Sequence, residues 1–532
     1  MHGRVKVRTT AEEKARKEKE RLEKLKLFTK AMQKIQHKRK ESEFDKDLLE
    51  LTSKVLSSNP DIYTLWNIRR EILSIFKKID KPEEELSQLY DAELQLTEYC
   101  LKINPKSYGA WHQREWVLTT RNDPNWDKEL ALCNMYLKWD ERNFHTWDYR
   151  RFVVSKCNPS LKEEFNFTTE KLFDNFSNYS AWHYRSKMLV ELYPDLDGGR
   201  PIEDTHHKQE LKMVQNAAFT DPDDTSAWFY QRWLLGAVKT MTKAVVYVVS
   251  PLKTTLAFNK YVDHKYIATN IRLMCNDKLV EGEWLSCTGN KCDVLWILKH
   301  DTNISDGLDI KMLHNMEDGQ VETITSTKVY ENNYYVGRNN ISFERNYSKP
   351  VVEELITQLQ ACRQLLLMEP DNKWTLLTTT TFLHCIDPKG NFDEVIANLH
   401  VLKNKDKLRA GYYDDLITKW SIENQITIDY KNDPVVDFKI MLKDRIASVP
   451  HLQYYSHCKE VDLSNQNLTS NSLPSLIVLQ HCKKLSLENN HLTTLRNFPD
   501  LKLDILNLKG NSGLDKEEVD SFKSKNNFTV IY

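Results

Sequence analysis

The sequence predicts a multidomain, mainly α protein: a superhelix of tandem helical hairpins, interrupted by an inserted β-sandwich and followed by a leucine-rich repeat domain. Three observations predict it. A signature built on Trp and ending in Arg recurs five times. About 110 residues more than one repeat needs separate the fifth copy from a degenerate sixth. Near the C-terminus, a Leu-x-Leu pattern followed by an amide side chain recurs three times. At 532 residues the chain is too long for one hydrophobic core.

Residues 1–40 hold 15 Lys/Arg against 5 Asp/Glu, which leaves +10, although the whole chain carries only −1. From Ala11 to about Lys40, Glu and Lys interleave at helical spacing and predict one exposed helix. It reads either as a solvated helix capping the array or as a contact for an acidic partner. The balanced total charge excludes a general field for nucleic acid or membrane. No apolar run approaches the ~20 residues that span a bilayer, and no apolar leader core follows Met1. The ten cysteines form no CxxC and no zinc-finger spacing. Free thiols in a reducing cytosol fit that usage, so a cytoplasmic protein is expected.

Residues 41–238 are assigned to hairpins one to five. The signatures are Trp66…Arg69-Arg70, Trp111…Arg114, Trp147…Arg150-Arg151, Trp182…Arg185 and Trp228…Gln231-Arg232, with Trp spacings of 45, 36, 35 and 46 residues. Two helices and two turns need about that length. Pro60, Pro105 and Pro222 stand six residues before their tryptophans, each after an Asn or Asp that can end one helix or cap the next. The second helix carries Trp inward, and Arg one turn later shares its face. That arginine can cross to the next hairpin's carboxylates or carbonyls, so Trp and Arg read as structural glue.

Residues 239–349 change character. Val245–Val249, Tyr266–Met274, Asp293–Lys299 and Val321–Tyr330 are β-branched or aromatic runs between Asn, Gly and Asp clusters, as an antiparallel, immunoglobulin-like sandwich requires. Residues 350–442 hold the sixth hairpin, at Trp374, and the helices after it. Residues 443–532 hold the leucine repeats: Val461-x-Leu463, Leu485-x-Leu487 and Leu506-x-Leu508, followed by Gln466, Asn490 and Asn511. The amides are expected to satisfy backbone groups inside each turn.

No nucleophile elbow, P-loop, GxGxxG or metal-ligand triad occurs, so the residues alone describe a helical-repeat interaction protein. The Trp-x-x-Arg hairpins, however, resemble the α-subunit repeats of protein prenyltransferases. The order of hairpins, inserted sandwich and leucine repeats resembles the Rab geranylgeranyltransferase branch of that family over essentially the whole chain. The resemblance implies a crescent-shaped α subunit around a catalytic β subunit that holds zinc, Zn2+, and most of the isoprenoid pocket. It implies transfer of geranylgeranyl from geranylgeranyl diphosphate to C-terminal cysteines of a Rab GTPase presented by Rab escort protein.

Residue by residue, the family's Asn-Pro-Lys-x-Tyr element stands here as Asn104-Pro105-Lys106-Ser107-Tyr108. Lys106 is therefore the expected catalytic cation for the leaving diphosphate, with Tyr108 beside it as a substrate-binding residue. His145 is expected at the active-site mouth, although Phe144 lacks the hydroxyl of the family's usual tyrosine. His2 is expected as a possible tail ligand to the partner's zinc. The competing readings are a non-catalytic helical scaffold and the α subunit shared by farnesyl- and type I geranylgeranyltransferases, which lacks both extra domains.

Overall fold

The computed structural model describes residues 11–79, 82–196, 200–238, 240–251, 253–302, 307–330, 334–431 and 437–532. The chain forms two units, residues 1–188 and 189–532. In the first, a long helix α1 (Ala11–Lys40) leads into hairpins α2 (Lys46–Leu56) with α3 (Tyr63–Lys78) and α4 (Glu83–Ile103) with α5 (Tyr108–Thr120). Hairpins α6 (Trp126–Trp139) with α7 (Phe144–Cys157) and α8 (Leu161–Asp174) with α9 (Tyr179–Leu192) follow, and α9 runs across the division. Helix α1 is exposed for most of its length and buries Ile35 near its end, as its charge pattern predicts.

The five signature tryptophans are buried, and each indole N–H donates to the carbonyl six residues earlier. The pairs are Trp66–Pro60 (2.8 Å), Trp111–Pro105 (2.9 Å), Trp147–Glu141 (2.8 Å), Trp182–Phe176 (2.8 Å) and Trp228–Pro222 (3.0 Å). A carbonyl has two lone pairs, and the cap residue of the next hairpin takes the second. Ser107 Oγ donates to Pro60 at 3.2 Å, Asn143 Nδ2 to Pro105 at 3.1 Å, and Asn178 Nδ2 to Glu141 at 3.0 Å. One polar atom per linker thus locks a helix to its own turn and to its neighbour.

The arginines cross between hairpins. Arg69 pairs with Glu93 of α4, Arg114 with Glu129 of α6, and Arg150 with Glu164 of α8. All six side chains are buried, and Tyr149 OH donates to Glu129 as well, at 2.8 Å. Isolated buried charges are costly, so these forked pairs require the stacked arrangement that satisfies them.

The second unit begins with α10 (Asp204–Thr220) and α11 (Thr225–Gly236). Its inserted strands are β1 (Ala244–Val249), β2 (Lys253–Asp263), β3 (Ile271–Cys275), β4 (Lys278–Leu279), β5 (Glu283–Ser286), β6 (Cys292–Lys299), β7 (Ile310–Asn315), β8 (Val321–Tyr330) and β9 (Tyr334–Arg338), with helix α12 (His264–Asn270) between β2 and β3. They form one antiparallel sheet in the order β4-β3-β7-β8-β9-β1-β2-β6-β5. The sheet curls until Tyr247 OH of β1 reaches the carbonyls of Ile310 (3.2 Å) in β7 and Ile324 (2.9 Å) in β8. The expected strand Tyr266–Met274 is corrected: its first half is α12, because Asp263 caps it by accepting the Tyr266 N–H at 2.8 Å. Local capping overrides a β-prone composition there.

After the sheet come α13 (Lys349–Met368), α14 (Lys373–Ile386), α15 (Phe392–Lys405) and α16 (Ala410–Asp429). The expected sixth signature is displaced. Asn372 caps α14 and donates to Pro222 O at 3.2 Å, as the earlier cap residues do. The residue four past it, where the other copies have Trp, is Leu376, and Trp374 sits two residues past the cap.

The C-terminal stack holds β10 (Asp437–Lys439), β11 (Glu460–Asp462), β12 (Lys484–Ser486), β13 (Ile505–Asn507) and β14 (Thr529–Ile531), with α17 (Lys516–Lys525) before the last. All pairs are parallel, and Phe438, Val461, Leu485, Leu506 and Val530 stand in one register column. Gln466, Asn490 and Asn511 are buried, and each accepts a backbone N–H from the preceding coil while donating to carbonyls of its own turn.

His481 joins this stack to the curled sheet, its ring bonded to Thr255 Oγ1 at 2.8 Å and Tyr334 OH at 2.6 Å. Burial, then the charges of Lys253, His457, Lys459 and Lys483, push it down to about 3. A depressed histidine stays neutral in the folded state while the unfolded chain takes up a proton. Stability is therefore unaffected above about pH 6.5 and falls by roughly 1.4 kcal/mol per pH unit below it, until the folded value is reached. His481→Gln should flatten the fall of the thermal midpoint between pH 6.5 and 4; an identical slope would remove His481 from the acid response.

Candidate functional site

Five linkers between paired helices share one construction. Asn59, Asn104, Asp140, Asn175 and Asp221 each accept, through a side-chain oxygen, the N–H of the residue two further on. These turns present Asp61, Lys106, Arg142, Ser177 and Asp223 at one equivalent place. Only the second and third linkers put a cation there.

In the second linker nearly every other polar group is committed. Asn104 donates to Asp61 Oδ2 at 2.9 Å, and the Pro105 carbonyl takes Trp111 and Asn143. Ser107 is buried and caps α5 by accepting the Ala110 N–H at 3.4 Å. The Lys106 side chain is exposed and has no hydrogen-bond or ion-pair partner among the described residues. Its charge stands at the N-terminus of α5, where the helix dipole adds a positive field. The combination suits an anion.

The next hairpin brings His145 to the same place. Its ring lies edge-on to Tyr108 (centroids 4.3 Å, 83°) and tilted against Phe144 (3.9 Å, 31°). Burial, then the nearby Lys106 charge, hold His145 below the ordinary histidine value, with Asp148 opposing. It is therefore a neutral imidazole at pH 7. Lys106, Tyr108 and His145, which the resemblance assigns to one site, lie on one surface; His2 lies outside the described residues. Among the described residues no group of three metal-ligating side chains converges.

Sequence reasoning missed three parts of this surface. Arg142 is the exposed counterpart of Lys106 one linker on. Tyr63, Tyr108, Phe144 and Tyr179 open the second helices of the first four hairpins, each 53–59% exposed. An aromatic three residues before each of the first four signature tryptophans was the readable signal, and its exposure marks a surface rather than a core. Finally, Tyr63, Trp66, Arg70, Tyr108, Gly109 and His112 line a cavity of about 420 Å³.

Gly109 shapes that cavity. A Cβ there would stand 2.7 Å from two atoms of the Trp66 indole. Gly109→Ala should consequently destabilise the first unit by about 1–3 kcal/mol through overpacking. A thermal midpoint equal to that of the unaltered chain would show that Trp66 yields freely.

The protein prenyltransferase alpha subunit repeat matches residues 45–76, 90–121, 126–157, 161–192 and 207–238, one signature tryptophan in each. Geranylgeranyl transferase type-2 subunit alpha of Bos taurus is 38% identical over 482 residues, covering 88% of this chain and 84% of its own length. The Homo sapiens protein of the same name gives the same figures. That of Schizosaccharomyces pombe is 37% identical over 246 residues, covering 44% of this chain and 71% of its own length. No described helix is long and apolar enough to cross a membrane. Five matched repeats, carried on hairpins locked by their Trp and Arg ladders, and this identity along nearly the whole chain place it in the family of geranylgeranyl transferase type-2 α subunits.

Proposed function

We propose that this chain is the α subunit of a cytoplasmic Rab geranylgeranyltransferase, active as a heterodimer with a prenyltransferase β subunit. The heterodimer transfers geranylgeranyl from geranylgeranyl diphosphate to C-terminal cysteines of Rab GTPases presented by Rab escort protein. The observation that carries the reading is Lys106: an unpaired cation on a linker held rigid from both sides, beside Tyr108 and His145.

The residues of this chain act on the leaving group. Lys106, assisted by Arg142 and the N-terminus of α5, meets the negative charge that grows on diphosphate as the C1–O bond breaks. His145, neutral and half-enclosed by Tyr108 and Phe144, adds a hydrogen-bonding ring without repelling the lysine. The exposed aromatic row from Tyr63 to Tyr179 supplies an apolar edge for the β subunit. By the family resemblance the zinc would be held mainly by the β subunit, where it would lower the pKa of the substrate thiol. His2 reaches that ion as a tail ligand in this proposal.

The same reading assigns residues 1–40 to a basic tail and helix and 41–238 to hairpins one to five. It assigns 239–349 to an immunoglobulin-like sandwich, 350–442 to the sixth hairpin and following helices, and 443–532 to leucine-rich repeats. The curled sheet supports the reading of 239–349 and the amide ladder at Gln466, Asn490 and Asn511 that of 443–532.

The test is co-expression with candidate β subunits, followed by transfer of geranylgeranyl to a Rab with and without escort protein. A heterodimer whose transfer needs the escort is expected. A stable chain that forms no active pair would favour the scaffold reading, and escort-independent transfer to other substrates would favour a type I enzyme.

A further inference from the structure

In the second unit, the chain returning from the curled sheet passes the ends of α14 and α16, and together they enclose a cavity of about 260 Å³. One wall is aromatic. His384 of α14 stacks on Trp420 of α16 (centroids 4.0 Å, 18°), and Phe343 of the returning chain completes the wall. The His384 ring nitrogens have no partner among the described residues. Burial, then Arg345 and Lys419, push His384 down to about 3, so it lines the cavity as a neutral ring. Glu423 also lines the cavity, but its carboxylate is engaged by His451 Nε2 at 3.2 Å and Lys419 at 3.9 Å.

Two lysines form the other wall. Lys389 stands on a tight turn in which Asp387 Oδ1 accepts the Gly390 N–H at 2.8 Å, and any side chain on Gly390 would strike Asp387. Lys431 stands just past the last turn of α16, its N–H on the Ile428 carbonyl at 3.2 Å. Both side chains are exposed and line the same cavity; Lys389 lowers the pKa of Lys431, and Glu344, which also lines the cavity, opposes the shift. Neither lysine makes an ion pair among the described residues. Each could answer the negative end of its own helix, but that role does not require them to converge. Two like charges lining one cavity favour an anion between them.

We propose that this cavity binds a small phosphate monoester with a planar body, its phosphate between Lys389 and Lys431 and its body against Phe343 and the His384–Trp420 pair. Two point-charge ammonium groups suit a phosphate dianion, whereas a carboxylate is better matched by the fork of an arginine. The site shares no residue with the Lys106 surface.

Calorimetric titration of the full chain with phenyl phosphate, inorganic phosphate and benzoate tests it. One-to-one binding of phenyl phosphate is expected, tighter than inorganic phosphate, with benzoate weakest. The double substitution Lys389→Met with Lys431→Met should weaken phenyl phosphate by about tenfold or more, and the double substitution to Arg should retain it. Absence of saturable heat, or equal binding by the double Met variant, would overturn the proposal. Circular dichroism checks that the double variant folds; if it does not, Lys431→Met alone carries the same comparison.

Discussion

Lys106→Ala is expected to lower geranylgeranyl transfer by the assembled heterodimer about 100-fold or more, the scale of removing one preorganised charge from a developing anion. The linker geometry makes this a clean test. The Lys106 N–H is held by Asn104, the Pro105 carbonyl by Trp111 and Asn143, and none of these bonds uses the lysine side chain. The variant should therefore keep the unaltered midpoint of unfolding and the same affinity for the β subunit. Because the charge is needed most as the leaving group departs, the loss should fall on the single-turnover rate more than on the affinity for geranylgeranyl diphosphate. Lys106→Arg should recover part of it. A single-turnover rate equal to that of the unaltered heterodimer would remove Lys106 from the mechanism, and Arg142 would then be the cation to examine.

Arg114→Met is expected to act on stability instead, by about 3–5 kcal/mol. Arg114 is 1% exposed, and its guanidinium grips Glu129 through Nε (2.6 Å) and Nη2 (2.7 Å). Its Nη1 donates to Leu94 O (2.9 Å) and Thr97 Oγ1 (3.1 Å). Removing it strands a buried carboxylate with Tyr149 OH as its remaining partner, whereas the Leu94 carbonyl keeps the Thr97 hydroxyl at 2.9 Å. The double variant Arg114→Met with Glu129→Gln should regain part of the loss, since it removes the stranded charge along with its partner. Arg151→Met, which breaks the partly exposed pair with Asp148 and a long contact of 6.0 Å over the Tyr184 ring, should stay within about 0.5 kcal/mol. Urea unfolding of the three variants measures the difference; equal midpoints for Arg114→Met and Arg151→Met would show that the buried ladder does not hold the hairpins together.

How far each feature could be read from the residues follows the range of the forces that make it. The Trp and Asx positions of the hairpins act within one or two helical turns, so their spacing announces them; the arginines are announced by their place one turn after Trp, although their partners lie in the next hairpin. The amide ladder of the C-terminal stack is likewise announced by Gln466, Asn490 and Asn511, because each turn repeats the same backbone need. Reading failed where a short-range signal had competition, as at Asp263, whose cap converts the start of Tyr266–Met274 into a helix. It failed again at Trp374, where the residue type suggested a register that the Asn372 cap sets two residues away.

The candidate site divides in the same way. Lys106 is singled out by its resemblance to the family's Asn-Pro-Lys-x-Tyr element; the Asx turn that holds its linker spans only two residues, so a short stretch of sequence carries both. That Lys106 shares a surface with His145, in the next hairpin, was not legible in the residues alone, since stacking of hairpins through buried Arg–Glu pairs determines it. Exposure of Tyr63, Tyr108, Phe144 and Tyr179 is also a tertiary result: the same aromatic type packs inward at Tyr149 and Tyr184. The sequence by itself determined which local structures form and which side chains are available for chemistry. Tertiary structure alone decided which of them meet, which stay in water and how the inserted sheet curls, because those outcomes depend on packing between segments that no local period relates.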